Sequence, residues 1–544
     1  MKGFWIGLMV LMLSFTANAA DNVGEPLEGL PIQDAGRVKP FDTFARETLQ
    51  LVYGKKTYEG KEAPEVVFTW LLVPDHWMNA PLIELRHSGV KEALKITSDE
   101  RWYSPQSLFT NPRVPLLVQE LQSQRERGEK LNPYFQAVQR LENQLALFQA
   151  VRAGVVLRFV PDPASDKWKS VNELEGDVRD AFVAVSKGFV DSVASAKDSG
   201  EVKASDEFRA AVTAFVEKAR AQAPTKYADM SRIGWELHLN HFHPFKWAWI
   251  VYLAGLICLI FASSGSWATS LSWVFLLGGF LLHGYGMGLR IYLAGRPPVS
   301  NMYETVVWVP FCTVLLGFIL ERVQKSKLLL VCGATVAIFC LILTDLAPTV
   351  LDGSIQPLEP VLRSTFWLST HVLIITLSYS AFFLAFALGD VLLFFYLRDE
   401  RKYAAVIQTG TQSIYRAIQV GIVLLAFGII LGGIWADYSW GRFWGWDPKE
   451  TWALISLLGY VAVLHGRLIG WVKNFQLAAL SVVGFSLVVM SWYGVNFALG
   501  AGLHTYGFGA GGVEYVAGFV VVHLLWVAYV STVRYGPAKK LTNG

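Results

Sequence analysis

The amino-acid sequence predicts a mainly α-helical, polytopic membrane protein with about nine transmembrane helices and an N-terminal exported, mostly helical domain. Three observations predict this fold class. The chain of 544 residues is 53% hydrophobic and only 17% charged, and its mean hydropathy is +0.37. Its apolar runs of membrane-spanning length lie between about residues 245 and 534. Residues 21–240, in contrast, are polar and rich in charge.

The extreme N-terminus has the pattern of a secretory signal peptide. Lys2 precedes an apolar run from Phe4 to Phe15, and Ala17-Asn18-Ala19 follows as a small-residue cleavage site. We therefore expect residues 1–20 to be a signal peptide. The domain that follows, residues 21–240, is then expected outside the cytoplasm.

The exported domain is expected to be mostly helical. Segments near 114–153 and 171–222 have apolar residues at helical spacing and charged residues on the opposite face. Extended structure is expected near 154–160. The domain contains no catalytic constellation that the sequence reveals, so its role stays open.

Residues 245–534 are expected to form the transmembrane domain. Its predicted spans are 245–263, 269–291, 302–320, 328–345, 365–397, 416–435, 451–470, 475–499 and 514–533. The fifth run is long enough to protrude from the bilayer. With the N-terminal domain outside, basic residues concentrate in the inner loops, as the positive-inside rule requires. These are Arg322, Lys325, Lys327, Arg398, Arg401, Lys402, Arg467, Lys473, Arg534, Lys539 and Lys540.

One outer loop departs from this asymmetry because it carries Arg290 and Arg296. Either a local salt bridge or a bound anion would explain two arginines there. The carboxylates of heme are one such anion, since arginine holds carboxylates through paired donors.

Composition excludes several classes of function. The net charge is only +3 and the basic residues lie between apolar runs, so we predict a lipid bilayer and no nucleic acid as partner. All four cysteines fall inside apolar runs, where cysteine acts as a small hydrophobe. The sequence has no Cys-x-x-Cys-His, so the chain is not itself a c-type cytochrome.

The segment 440–450, Trp-Gly-Arg-Phe-Trp-Gly-Trp-Asp-Pro-Lys-Glu, carries the strongest functional signal. Trp440, Trp444 and Trp446 lie where a predicted span meets water, which is more tryptophan than an interfacial belt needs. The two glycines leave room for a large flat ligand close to the backbone. A porphyrin fits that description.

Two histidines are predicted at the same outer depth as this segment. His371 lies one or two turns inside the fifth span, and His504 lies in the outer loop after the eighth. Two neutral imidazoles could supply both axial ligands of a heme iron. His465, near the inner end of the seventh span, is either a helix-pairing polar residue or a ligand at a second, inner heme position. His283 in the second span is a weaker candidate.

The acidic residues of this region are open to two interpretations. Asp447-Pro-Lys-Glu450 has the form of a helix start, with a carboxylate cap and a glutamate that reaches back. Asn301-Met-Tyr-Glu304 repeats that form before the third span. We expect Glu450 and Glu304 to be helix caps, while Asp447 could equally be a functional carboxylate.

Trp440-Gly-x-x-Trp444-x-Trp446-Asp447-x-x-Glu450 resembles the signature of the tryptophan-rich (WWD) heme-handling proteins of cytochrome c maturation. Within them, the chain is most similar to the CcsA (ResC-type) subunit of the System II cytochrome c synthase. The likeness covers about residues 270–534, including Pro297–Glu304 and Leu503–Tyr506. It implies that His371 and His504 are the axial ligands of an outer heme, and that His465 binds heme inside the membrane.

The resemblance implies a heme lyase subunit that takes heme b and presents it to the Cys-x-x-Cys-His of apocytochrome c. Trp440, Trp444, Trp446 and Asp447 would form the catalytic platform, and Arg296 would contact heme. A separate ResB/CcsB-type subunit is expected as partner, in a bacterial inner membrane with the platform on the periplasmic side. The alternatives are a CcmC-like heme transporter without ligase activity and a CcmF-type ligase subunit. A respiratory b-type subunit would instead place its ligands mid-membrane.

Overall fold

The computed structural model describes residues 22–128, 131–199, 203–227, 229–261, 267–348, 350–358, 364–500, 502 and 512–536. The predicted signal peptide and His504 lie outside the described residues. The chain divides into two compact units, Met1–Phe242 and His243–Gly544.

The N-terminal unit is helical, with four short pairs of antiparallel strands among its described residues. Its helices are α1 Glu25–Glu28, α2 Phe41–Val52, α3 Ala63–Leu72, α4 Pro74–Asn79, α5 Ser88–Ala93, α6 Pro105–Phe109, α7 Val114–Glu126, α8 Pro133–Arg152, α9 Gly176–Ser199, α10 Asp206–Gln222 and α11 Met230–Phe242. The strand pairs are two-stranded antiparallel sheets. They pair β1 Pro31–Asp34 with β2 Arg37–Pro40, β3 Thr57–Tyr58 with β4 Lys61–Glu62, β5 Ile83–Glu84 with β6 Trp102–Tyr103, and β7 Arg158–Val160 with β8 Lys169–Ser170. Strands β5 and β6 are joined through α5 and not by a tight turn.

Aromatic side chains from distant parts of the sequence form the core of this unit. Phe41, Phe68 and Phe159 are buried and their rings meet at 5.7–6.2 Å. Side-chain caps fix several helix starts; for example, Asn132 accepts from the backbone N–H of Phe135 where α8 begins. The apolar faces that predicted helices in this domain are therefore the faces that pack.

The second unit consists of membrane-length helices. Within the described residues, nine are long and apolar enough to cross a bilayer. They are α12 Pro244–Phe261, α13 Trp267–Ala294, α14 Met302–Gln324, α15 Lys327–Leu346, α16 Leu368–Asp399, α17 Ala404–Trp440, α18 Pro448–Leu468, α19 Asn474–Leu499 and α20 Val513–Tyr535. The prediction of a polytopic α-helical membrane protein is confirmed.

The sixth membrane helix is longer than the sequence predicted. The predicted span was 416–435, but α17 has 37 residues and begins at Ala404. Its first four turns include Gln408, Gln412 and Arg416, which interrupt the apolar run without interrupting the helix. At 1.5 Å per residue, α17 is longer than a bilayer core is thick, so it extends beyond the apolar layer.

Helix α16 lies at the centre of the bundle. It packs against α14, α15, α17, α19 and α20, and most of its membrane-length window is buried. The rings of Phe382 on α16 and Tyr460 on α18 stack with centroids 3.9 Å apart. Gly421 lets α17 approach, since a Cβ there would lie 2.6 Å from the Phe382 ring. A second core joins α12 and α13 to α14 and α15.

Two membrane helices contain π-helical segments, Leu368–Val372 in α16 and Met490–Leu499 in α19. A π-helical turn widens the backbone and re-aims the side chains beside it, and it often marks a functional position. Both segments border the same cavity.

Candidate functional site

A cavity of about 440 Å³ opens among five helices of the second unit. Its wall combines the first turns of α14, α16 and α18 with the last turns of α17 and α19. All five helix ends therefore meet at one end of the bundle. Seven of the basic residues that the sequence assigned to inner loops flank the other ends of these helices, namely Arg322, Lys325, Arg398, Arg401, Lys402, Arg467 and Lys473.

His371 lines this cavity from the π-helical turn of α16. Its Nδ1 lies 2.8 Å from the carbonyl oxygen of Gly428 on α17. A carbonyl only accepts, so Nδ1 carries the proton and donates it. The neutral ring then has its lone pair on Nε2, the form of histidine that binds a metal. The indole of Trp435 meets the imidazole at 5.7 Å and 64°.

The tryptophans of the predicted platform do not share one environment. Trp440 and Trp444 are half-buried and line the cavity. Trp446 is 70% exposed and is absent from the cavity wall. Its backbone takes a φ of 56°, and its ring stands at 89° to that of Trp444. The geometry brings two of the three indoles to the cavity with His371.

Asp447 and Glu450 form the capping box of α18. Asp447 Oδ1 accepts from the backbone N–H of Lys449 at 3.0 Å. Glu450 Oε2 accepts from the backbone N–H groups of Gly445 and Asp447 at 2.8 and 3.2 Å. The prediction that Glu450 is a helix cap is confirmed. These bonds fold the tryptophan segment back onto the first turn of α18 and so fix the position of Trp444.

Asp447 also faces the segment that follows α19. Gly502 has a φ of 95°, and a Cβ there would lie 2.2 Å from Asp447 Oδ2. The backbone of Gly502 therefore packs directly on this carboxylate. Gly502 precedes His504 by two residues in the sequence.

The two outer arginines have different partners. Arg290 is buried and forms an ion pair with Glu304 at 3.1 Å, and it donates to the Gly353 carbonyl at 2.8 Å. Asn301 is the N-cap of α14, and its Oδ1 accepts from the backbone N–H of Glu304 at 2.8 Å. Glu304 accepts from the backbone N–H of Ser300 at 2.9 Å, so it reaches back to the residue before the cap and not to the cap itself. For Arg290, the salt-bridge interpretation is the correct one.

Arg296 lines the cavity. It donates to Ser300 Oγ at 3.1–3.2 Å and to the Gln356 carbonyl at 2.7 Å. These bonds hold the guanidinium at the cavity rim.

His465 lies apart from the cavity, near the other end of α18. It is separated from Lys449 by roughly 24 Å along the helix axis, at 1.5 Å per residue. Its Nδ1 is 2.9 Å from the Val461 carbonyl, so this exposed imidazole also has its lone pair on Nε2. His283, by contrast, is fully buried between aromatic rings, and its Nε2 donates to the Val307 carbonyl at 3.0 Å. Burial leaves His283 no access to a ligand.

Two polar residues of the cavity wall were missed by the sequence argument. Lys449 extends its ammonium group towards the Trp492 carbonyl oxygen at 3.4 Å. Asn496 has a buried Oδ1 without a hydrogen-bond partner among the described residues. Asn496 could have been found as a polar residue within a predicted span. Lys449 was hidden because Asp-Pro-Lys-Glu was interpreted only as a helix start.

Comparison with known proteins identifies relatives of the part of the chain that forms this site. Residues 299–504 match the cytochrome C assembly protein family, a range that includes His371, His465 and residues 440–450. The chain is 35% identical over 257 residues to the cytochrome c biogenesis protein CcsA of Chlorella vulgaris. That alignment covers 40% of the chain and 80% of the Chlorella protein. A second CcsA, from Synechococcus sp. (strain CC9605), is 32% identical over 252 residues, covering 40% of the chain and 81% of that protein.

A third relative matches the N-terminal unit as well. Protein NrfI of Wolinella succinogenes is 30% identical over 496 residues, which cover 87% of the chain. An alignment of that extent necessarily includes much of the N-terminal unit. The chain spans 53% of the length of NrfI.

Proposed function

Because the chain belongs to the CcsA family of cytochrome c biogenesis proteins, we propose that it binds heme b in the cavity between α14 and α16–α19 and presents it for attachment to apocytochrome c. The observation that carries this proposal is the hydrogen bonding of His371 and its position in the cavity wall. Its Nδ1–H is held by the Gly428 carbonyl, which puts the lone pair on Nε2 of a ring that lines the cavity together with Trp440 and Trp444.

The residues of the cavity suit a flat, largely apolar ligand with one metal centre. His371 would supply one axial ligand, and His504 is our proposal for the other. Trp440 and Trp444 would contact the ring face, while Asp447 and Glu450 hold their loop on α18. Arg296, at the rim, is a proposed contact to the heme. Trp446 is exposed, which suits contact with an incoming protein better than contact with the ring.

For the attachment reaction, the protein has to position heme and apocytochrome correctly, and side chains that act as acids, bases or nucleophiles matter less. Each thiol of Cys-x-x-Cys-His adds its S–H across one heme vinyl group, and the reaction gives a thioether without an oxidant. Holding heme and apocytochrome in one geometry supplies a large effective concentration. The histidine of the incoming motif would then replace one protein ligand on the iron, which releases the product.

Heme would reach the cavity from the other side of the membrane. His465 lies at the end of α18 opposite to the cavity and has an Nε2 lone pair available as a first ligand. The clustering of basic residues at that end supports an inner position for His465, and it supports our proposal that the cavity faces the periplasmic side of a bacterial inner membrane.

We further propose a ResB/CcsB-type membrane subunit as partner. NrfI, which matches 87% of this chain, contains almost as much sequence again that the chain does not cover. A separate subunit could supply that additional part, including a second ligand for heme at His465. The N-terminal unit would then lie on the apocytochrome side.

Coexpression tests this proposal. The chain is produced with and without a ResB-type subunit, beside a Cys-x-x-Cys-His reporter, in a host without its own maturation system. Covalent heme on the reporter, lost in His371→Ala and in His504→Ala, is the expected result. Heme that copurifies with the chain but never joins the reporter would identify a transporter. A chain that binds no heme under either condition would refute the proposal.

A further inference from the structure

Among the described residues, four charged side chains line the cavity, and three of them have hydrogen-bond partners within the protein. Glu450 accepts from two backbone N–H groups of its own capping box. Asp352 accepts from the backbone N–H and hydroxyl of Ser354. Arg296 donates to Ser300 Oγ and to the Gln356 carbonyl. The fourth is Lys449.

Lys449 differs because its ammonium group has three N–H donors but few hydrogen-bond acceptors among the described residues. Among the described residues, its single hydrogen bond is the 3.4 Å contact with the Trp492 carbonyl oxygen, which is long for an N–H···O bond. No carboxylate of the described chain lies within 4.0 Å of it. A cation at the end of a membrane helix, in a low-dielectric wall, gains most from a charged partner.

A second incompletely bonded polar group lies nearby on α19. Asn496 follows Trp492 by one turn of the π-helical segment, and its buried Oδ1 has no partner among the described residues. The ammonium and the amide are therefore two polar groups of the cavity wall whose hydrogen bonds are incompletely satisfied among the described residues. A ligand that fills the cavity is expected to place a polar substituent there.

We propose that Lys449 binds a carboxylate of the heme, so that the carboxylate edge of the porphyrin lies against the first turn of α18. This inference rests on the proposed function, since it assumes that heme is the occupant of the cavity. The two carboxylates of heme share one edge of the ring, and the vinyl groups lie away from that edge. Lys449 is therefore a residue that fixes which edge of the ring faces out of the cavity towards the thiols of apocytochrome.

The inference predicts discrimination between heme and its dimethyl ester, which keeps the ring, the iron and the vinyl groups but removes both negative charges. The full chain, purified in detergent, is titrated with each compound. Wild-type protein is expected to bind heme about 10- to 100-fold more tightly than the ester, the range for one hydrogen bond between charged groups.

Three variants assign that preference to Lys449. Lys449→Met is expected to lower heme affinity to near that of the ester and to leave ester affinity unchanged. Lys449→Arg keeps the positive charge and is expected to keep most of the preference. Lys327→Met, which removes an exposed lysine at the start of α15 away from the cavity, is the matched control. The Soret band should be the same in all four proteins, because the axial ligands are untouched.

Equal affinity of the wild-type chain for heme and ester would overturn the inference without any variant having to fold. A Lys449→Met protein that keeps the wild-type preference would overturn it too, and would point to Arg296 as the group that binds the carboxylate. If the wild-type chain binds neither compound, the proposed function has failed. That result is distinct from binding without discrimination.

Discussion

The imidazole of His371 lies so close to the backbone of Gly432 that a Cβ at that glycine would be 2.5 Å from its Cε1. The same ring is tied to α17 one turn earlier, through Nδ1 and the carbonyl of Gly428. Helix α17 therefore holds the imidazole by a hydrogen bond to Gly428, and the close backbone of Gly432 limits its movement. The position of the proposed ligand atom, Nε2, follows from this pair of constraints.

We predict that Gly432→Ala displaces His371 and lowers heme retention roughly 10- to 100-fold, the usual cost of disturbing a group that orients a metal ligand. The measurement is heme per purified chain, from the visible spectrum. Gly288→Ala, a glycine of α13 with open space around its Cβ position, should behave as wild type. Full heme retention in Gly432→Ala would mean that His371 is not held as described.

The contrast between Trp444 and Trp446 gives a second prediction. Trp444 lines the cavity, whereas Trp446 is 70% exposed. Loss of an aromatic contact costs about 0.5–1.5 kcal/mol, so Trp444→Ala should weaken heme binding about 2- to 10-fold. Trp446→Ala should leave the affinity unchanged and reduce the yield of holocytochrome instead. Equal losses of affinity in both variants would show that the cavity does not hold the ring.

The sequence predicted those features of the site that depend on local spacing. The capping box of Asp447 and Glu450 was predictable because a cap and the residue that reaches back lie three positions apart. The membrane helices were predictable because each one is an apolar run long enough to cross the hydrocarbon core of a bilayer. The early start of α17 was not, since its first turns are polar.

Features set by long-range contact could not be predicted. Trp446 turns outward because its backbone adopts a positive φ at the end of the loop, which residue type alone does not indicate. Lys449 meets the cavity only because α18 packs beside the π-helical segment of α19, so that its ammonium reaches Trp492. The partner of Arg290 likewise depended on which helix ends meet, and the sequence left salt bridge and anion equally open.

A third prediction concerns the buried pair of Arg290 and Glu304, whose side chains are 6% and 1% exposed. Glu304→Gln removes one charge and leaves the guanidinium buried, which typically costs about 3–5 kcal/mol. The expected result is a marked drop in thermal stability in detergent. Replacing both residues by methionine should restore part of that loss, because no charge then remains buried. As a control, Glu400→Gln breaks the more exposed pair with Arg534 and should cost less than about 1 kcal/mol.

The N-terminal unit should show a pH-dependent contact at α11. His241 Nε2 lies 3.3 Å from Glu28 Oε2, and this hydrogen bond raises the pKa of His241 above its usual value, while partial burial acts in the opposite direction. Asp42 raises the pKa further and Arg46 lowers it. A raised pKa means that the protonated form is favoured by folding. The stabilisation of the folded state by protonated His241 is complete at pH values below the usual histidine pKa, and it is lost as the pH rises through the raised pKa.

Because His241 is partly exposed, we expect a loss of only about 0.2–1 kcal/mol across that pH range. Hydrogen exchange in α11 of the full chain measures it, as faster opening at higher pH after correction for the intrinsic rate. His241→Gln should remove the pH dependence and should exchange like the wild type at high pH. A variant that retains the full dependence would assign it to another group.

The last prediction separates the two interpretations of Asp447. Its carboxylate caps α18 and contacts the backbone of Gly502, so a purely structural role is sufficient to explain its burial. Asparagine caps helices as well as aspartate does, whereas alanine costs about 1 kcal/mol. If Asp447 only caps, Asp447→Asn should keep wild-type holocytochrome yield, and Asp447→Ala should lose stability and yield together. Loss of yield in Asp447→Asn, with thermal stability unchanged, would instead show that the negative charge takes part in heme attachment. We expect the first outcome, because both acidic residues of this segment are already bound to backbone N–H groups.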